Sequence, residues 1–319
     1  MGGFFIVKIM KVLGIGESVI DMTYVFKNGI PADLIPDTKA QKHVGGPVLS
    51  AMILLARLGV DCTFVSTIGR DDNAMIIKKL LKHESIHLIP KYQRRTKVNK
   101  ILVNAQNGSR KKVRGDITHP NIKHLERKFI QQFDMIIFDR HEHNAFYEVL
   151  EKKRTDTKII IDPSTEVSPF IMDMIKYADY PIIPIDSLSK IDSQKNLDEC
   201  LKKLYKHSGK TIIITAGELG SLLYNGLEIE VIPAITIQAV DVNGAGDIFR
   251  GGFAYGIIKG WSKAESAGFG NLVASLKCLK RGNAAAIPTA KEIEQFKKKI
   301  NEKKPISIKE IQKLFFSTV

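Results

Sequence analysis

Short apolar runs rich in β-branched residues recur along this chain of 319 residues, at 12–15, 63–68, 135–138, 158–161, 180–185 and 211–215. Several are separated by segments with helical periodicity, at 48–58, 74–81, 145–152 and 197–206. A strand buried on both faces reads as a nearly continuous apolar run, and a helix must carry the chain back before the next parallel strand can form. The alternation therefore predicts an α/β fold with a central, mostly parallel sheet flanked by helices. No internal repeat, low-complexity tract or Pro- or Ser-rich linker divides the chain, so one large domain is expected over residues 1–319.

Two segments break the alternation. Residues 22–44 carry Tyr24, Val25, Phe26 and two prolines without a helical period. Residues 96–114 alternate at Val98, Ile101 and Val103, break at Gln106-Asn107-Gly108-Ser109, and resume. Asn-Gly between alternating residues is a hairpin signal, so these segments are expected to form a small strand layer projecting from the main sheet. The basic amphipathic pattern at 308–316, within an extension at 298–319, predicts a further helix packed on the body. Met10 begins a natural-looking start, which makes residues 1–9 an upstream extension.

One string carries most of the chemistry. An apolar run at 232–240 reads as a strand and leads into Asp241-Val242-Asn243-Gly244-Ala245-Gly246-Asp247-Ile248-Phe249-Arg250-Gly251-Gly252, where a helical pattern begins. Glycines between a strand and a helix let backbone N–H groups converge on an anion at the positive end of the helix dipole. Asp247 would stand beside that anion, where a carboxylate could take a proton from an attacking hydroxyl. Read from the residues alone, the string is equally a tight turn with an Asp cap.

The string resembles the second signature of the PfkB (ribokinase-like) carbohydrate kinases, Asp-Thr-x-Gly-Ala-Gly-Asp-x-Phe-x-Gly-Gly, and departs from it only at Val242. The resemblance implies Asp247 as catalytic base and Gly244, Ala245 and Gly246 as the anion hole. It also implies a ribokinase-like fold in which 22–44 and 96–114 form a β lid, with ATP and Mg²⁺ as cofactors and a potassium ion assisting near Asp241. Earlier motifs follow in the family's order. Gly14-Ile15-Gly16-Glu17 lacks the third glycine of a dinucleotide turn, since position 19 is Val. Asp21 matches the family's acidic residue that holds substrate hydroxyls; by itself it reads as well as a turn or cap residue. Val44-Gly45-Gly46-Pro47, leading to Ala56-Arg57-Leu58-Gly59, resembles the family's first signature. Gly45, Gly46 and Ser50 would then line the acceptor. Thr215-Ala216-Gly217-Glu218-Leu219-Gly220 resembles the nucleotide loop, which assigns Thr215, Gly217 and Gly220 to ATP. Asn271 falls where family members contact adenine.

The departures are specific. Ser50 stands where Asn is usual, and Asn283 replaces an Ala in the loop from Arg281 to Pro288. The family's Asn-x-x-Glu, which organises Mg²⁺, is replaced by Ile185 and Leu188. Asp186 is the neighbouring oxygen donor that could hold the metal, or simply cap a helix. Arg140, after the run at 135–138, could approach a substrate or phosphate. His141 and His143 are two apart and read as a loop or solvated face, not as a metal site.

Net charge is +14, but the lysines are spread along the chain and not interleaved with aromatics, so neither nucleic acid nor a membrane is expected as a partner. No apolar run is as long as a membrane span, and the first residues do not read as a signal peptide. Three scattered cysteines point to reduced thiols and the cytoplasm. The expected activity is ATP-dependent phosphorylation of a hydroxyl on a small sugar. A nucleoside kinase, or a non-catalytic nucleotide- or sugar-binding protein on this fold, are the alternatives, and the strand lid invites a homodimer.

Overall fold

The computed structural model describes residues 10–27, 29–30, 40–106, 110–115, 122–163, 168–191 and 196–299. The first strand, β1 (Lys11–Ile15), lies inside a nine-stranded sheet, third from one edge. On one side of it run β4 (Asp61–Ile68) and β5 (His87–Tyr92). On the other run β8 (Met135–Asp139), β9 (Lys158–Asp162), β10 (Tyr180–Pro184), β11 (Ile212–Thr215), β12 (Ser221–Tyr224) and β13 (Ile229–Ile232), in that order. Pairing is parallel from β5 through to β11 and antiparallel across β11, β12 and β13.

The sequence dictates this layering through a period of two. In β9, Ile159 and Ile161 face one apolar cluster and Ile160 faces the other, all fully buried. One face is covered by α4 (His143–Lys152), α5 (Pro169–Tyr177) and α7 (Leu197–Ser208), with α3 (Arg127–Ile130) and α6 (Leu188–Ile191) as single turns near them. The other is covered by α1 (Pro47–Arg57), α2 (Asp72–His83), α8 (Ala245–Ile258), α9 (Lys263–Cys278) and α10 (Ala290–Lys297). The strand order reverses at β1, between β4 and β8, and ligands of open α/β sheets bind beyond the carboxyl ends of strands at such a reversal.

A second sheet has the order β3-β2-β6-β7, from β2 (Val19–Phe26), β3 (Gln41–Gly45), β6 (Val98–Asn104) and β7 (Arg110–Val113). It is the expected small strand layer, with β2 starting earlier than the reading at residue 22. The Asn107-Gly108 turn, residues 1–9 and the helix at 308–316 lie outside the described residues. This layer is tied to the body by Lys97, whose Nζ lies 2.8 Å from Oε2 of Glu17 just after β1, and by Asp71 at the start of α2, whose carboxylate accepts from Thr96 N at 2.8 Å.

The strand expected at 232–240 is not one. Pairing with β12 stops at Ile232 because Pro233 has no N–H to offer. The chain crosses instead to the end of α9, where the N–H groups of Val240 and Asp241 both donate to the Cys278 carbonyl, at 2.8 and 3.1 Å. The run at 180–185 likewise ends at Pro184, and Ile185 opens a single 3-10 turn.

Candidate active site

Asp247 lies in the first turn of α8, whose N-cap is Gly244 in the left-handed region (φ 77°). Only the first of the opening N–H groups is used locally, Ala245 N donating to Val242 O at 3.2 Å. Gly246 and Asp247 follow it in the turn where helical N–H groups have no intrahelical acceptor, and Asp247 lines the cleft. The approach to this turn is fixed by Asp241. Its carboxylate accepts from Asn243 N at 2.9 Å and Gly282 N at 3.1 Å, and its carbonyl accepts from Lys277 Nζ at 2.9 Å. Lys277 is 1% exposed, so a fixed ammonium sits beneath the turn.

Burial pushes the Asp247 carboxyl up to about 6. Arg250, one turn on, opposes the rise, Asp162 at the end of β9 adds to it, and Lys112 and Lys277 oppose it from further away. Arg250 Nη2 contacts Asp247 Oδ1 and lies 2.6 Å from Asp162 Oδ2. The Asp247 side chain keeps 22% of its surface open.

Facing Asp247 across the same cleft are Asp21, Gly45, Gly46, Pro47 and Ser50, together with Lys112 from β7, Asn243, Gly244, Lys277 and Asn283. Asp21 Oδ1 accepts from Asn99 Nδ2 at 2.9 Å and Oδ2 from Asn283 Nδ2 at 3.2 Å. Two amides from distant parts of the chain therefore hold this carboxylate in place. Gly46 has φ 136°, and a Cβ there would overlap the Glu17 carbonyl, so only glycine lets the loop pass. Ser50 Oγ donates to the Gly46 carbonyl at 3.1 Å.

The remaining expected residues fall at other places. Thr215 ends β11, and Gly217 (φ 58°) and Gly220 (φ 101°) shape the turn into β12, closed by Ala216 N to Gly220 O at 2.7 Å. Asn271 is buried, and its Nδ2 bonds Ser221 Oγ, Ile232 O and Pro233 O, so it clamps α9 to β12 and β13. Arg140 follows β8 and does not line the cleft around Asp247. Asp186 is exposed two residues beyond β10, while Ile185 and Leu188 are buried in the core. Among the described residues no cluster of three His, Cys, Asp or Glu could hold a metal ion. No helix among them is long and apolar enough to cross a membrane, and Cys62, Cys200 and Cys278 are buried and free.

Sequence reasoning missed Asn99, Lys112 and Lys277 as site residues, took Asp162 at the end of its strand as a pocket wall but not as a partner of Arg250, and took Arg250 only as part of a string. Arg250 carried a signal: a charged residue among the apolar positions that α8 buries must find a partner.

A profile of the pfkB family carbohydrate kinases matches residues 10–290. The ATP-dependent 6-phosphofructokinase of Thermoanaerobacterium thermosaccharolyticum is 27% identical over 311 residues, covering 90% of this chain and 94% of that one. The crystal structure of ribokinase from Thermotoga maritima superposes with a TM-score of 0.80 at 22% identity, over 91% of this chain and 99% of that one. Arabidopsis thaliana ribokinase, solved with ribose and ATP, gives 0.79 at 18% identity, over 90% and 98%. At these identities the two structures show the fold.

Proposed function

This chain belongs to the pfkB family of carbohydrate kinases, and on that premise we propose that it transfers the γ-phosphoryl group of ATP to a hydroxyl of a small sugar, with Asp247 as the general base. Family members are phosphotransferases acting on hydroxyl groups; the acceptor and the residue roles are the proposal. One observation carries it: a carboxylate raised to about 6 stands in the first turn of α8, across one cleft from the Asp21 cradle.

The acceptor hydroxyl binds against Asp21, with Gly45, Gly46 and Ser50 forming the wall of its site. Asp247 takes the hydroxyl proton as the oxygen attacks the γ-phosphorus; the new O–P bond forms as the bond to the β-phosphate oxygen breaks, releasing ADP. The N–H groups of Gly246 and Asp247 stabilise the charge on the transferred group. Thr215, Gly217 and Gly220 form the nucleotide side of the cleft, and Asn271 holds that wall in place from behind. A Mg²⁺ would be carried chiefly by the ATP phosphates, and Asp186, an exposed carboxylate just beyond β10, would be the side chain to hold it through water. When bound, Mg²⁺ neutralises phosphate charge. A potassium ion at Asp241 would share its carbonyl with the buried Lys277 ammonium, whose charge opposes a second cation there. Among the described residues the outer lid strands β3 and β7 each have one unpaired edge, which supports a lid-mediated homodimer. Three buried free thiols support a cytoplasmic location.

The test is ADP release from Mg·ATP with D-ribose, D-fructose, D-fructose 6-phosphate and adenosine in turn, for wild type and Asp247→Asn. We expect at least one sugar to raise turnover, and the substitution to remove about 10²–10⁴-fold of it. Stimulation by adenosine alone would select the nucleoside reading, and no stimulation by any acceptor would select the non-catalytic one.

A further inference from the structure

Arg250 is 4% exposed, and no solvent compensates a charge at that depth. It lies three residues beyond Asp247, on the same side of α8. A single nitrogen, Nη2, meets Oδ1 of Asp247 and Oδ2 of Asp162. Asp162 ends β9, a strand paired on both sides within the main sheet, so it is the rigid end of this chain of contacts. The two oxygens of Asp247 are thereby made unequal. Oδ1 is held by Arg250, while Oδ2 lies over Gly244, 3.6 Å from where a Cβ on that residue would stand. Gly244 lines the cleft.

We propose that Arg250, held by Asp162, is a positioning residue that fixes the Asp247 carboxylate so that Oδ2 is the atom facing the acceptor hydroxyl. Without Arg250 the carboxylate could turn about its side-chain bonds. Without the carboxylate of Asp162 the guanidinium would belong to Asp247 alone. The groups whose charge reaches Asp247 are Arg250 on its own helix, Asp162 from β9, Lys112 from β7 and Lys277 from α9. Arg250 and Asp162 act on it with opposite sign, so their removal must act oppositely too. The proposal rests on Asp247 being the base; its test is read without turnover, so its failure is distinguishable from failure of the kinase reading.

The experiment is a carboxyl titration of the full chain labelled with ¹³Cγ-aspartate, with the Asp247 resonance assigned by its loss in Asp247→Asn. In wild type the midpoint is expected at about 6. Arg250→Gln should raise it by about one pH unit, and Asp162→Asn should lower it by about half a unit. Opposite displacements support the proposal. Midpoints that stay put, or that move in the same direction, overturn it, since a packing role would change the melting temperature alone. Should Arg250→Gln not fold, Asp162→Asn decides by itself: a lowered midpoint supports the proposal, and an unchanged or raised one overturns it.

Discussion

Asp247 is useful as a base because burial and its neighbours hold it near the pH at which proteins work, between protonated and ionised forms. Of the residues named from sequence as acceptor side and anion hole, Ala245, Gly246 and Arg140 are not among the lining of the cleft, whereas Asp21, Gly45, Gly46, Ser50, Gly244 and Asp247 line it together. They were legible because short strings with local geometry, a Gly-Gly loop or a Gly-rich helix start, carry their shape in neighbouring residues. The hold of Asn99 and Asn283 on Asp21, and of Asp162 on Arg250, was not, because each reaches its partner from a distant part of the chain, and nothing in local spacing announces it. Lys277 belongs to the same group, and it yields a prediction. Since its ammonium already sits on the Asp241 carbonyl, replacing potassium by sodium or choline at constant ionic strength should change the phosphoryl-transfer rate by less than about twofold. Lys277→Met, which leaves that carbonyl without its donor, should lower the rate by about tenfold or more. A strict potassium requirement in the wild type would show that a separate cation site exists.

The helices that carry the site are held by close packing rather than by caps alone. In α8, Gly252 lies against α9: a Cβ there would come within 2.6 Å of Val273 Cγ2 and 2.9 Å of Gly270 Cα. Gly252→Ala should therefore push the two helices apart, costing about 1–3 kcal/mol in a urea melt. Because α8 begins at the anion site, turnover should drop as well, whereas Gly260→Ala, with nothing within 4 Å of its Cβ, should leave packing intact and strain only its own turn. At this scale the sequence was legible wherever a strand is buried on both faces, as β8 and β9 are. It was less so for β5, a half-exposed strand at the edge of the main sheet that includes Pro90, and for the four-residue strands β12 and β13. The expected strand at 232–240 failed because apolar content alone does not make a strand: Pro233 stops pairing, and the segment satisfies its N–H groups on the end of α9.

In the whole molecule, the sheet's reversal at β1 gathers several carboxylates at one edge. Burial raises Asp139 to about 6 and Glu142 to about 8, with their mutual repulsion adding to the burial at Glu142. Glu142 accepts from Ile122 N at 3.1 Å through one oxygen, and its other oxygen is buried without a partner, as suits a protonated acid. The folded state thus holds protons that the unfolded chain would release. Stability from this source is full below the unfolded carboxylate range and is lost as pH rises toward about 8. The melting temperature should accordingly decline from about pH 5 to pH 8 in wild type, and Glu142→Gln should flatten that decline. The central claim, that Asp247 is the base of an ATP-dependent phosphoryl transfer, is tested most directly by the pH profile of kcat/KM for the responding acceptor in wild type and Asp247→Asn. The account predicts a wild-type rate that falls as the pH drops through about 6, and at least about a hundredfold loss at every pH in the variant. An Asp247→Asn enzyme that keeps its rate within about tenfold of wild type, with the same acid limb, would contradict it.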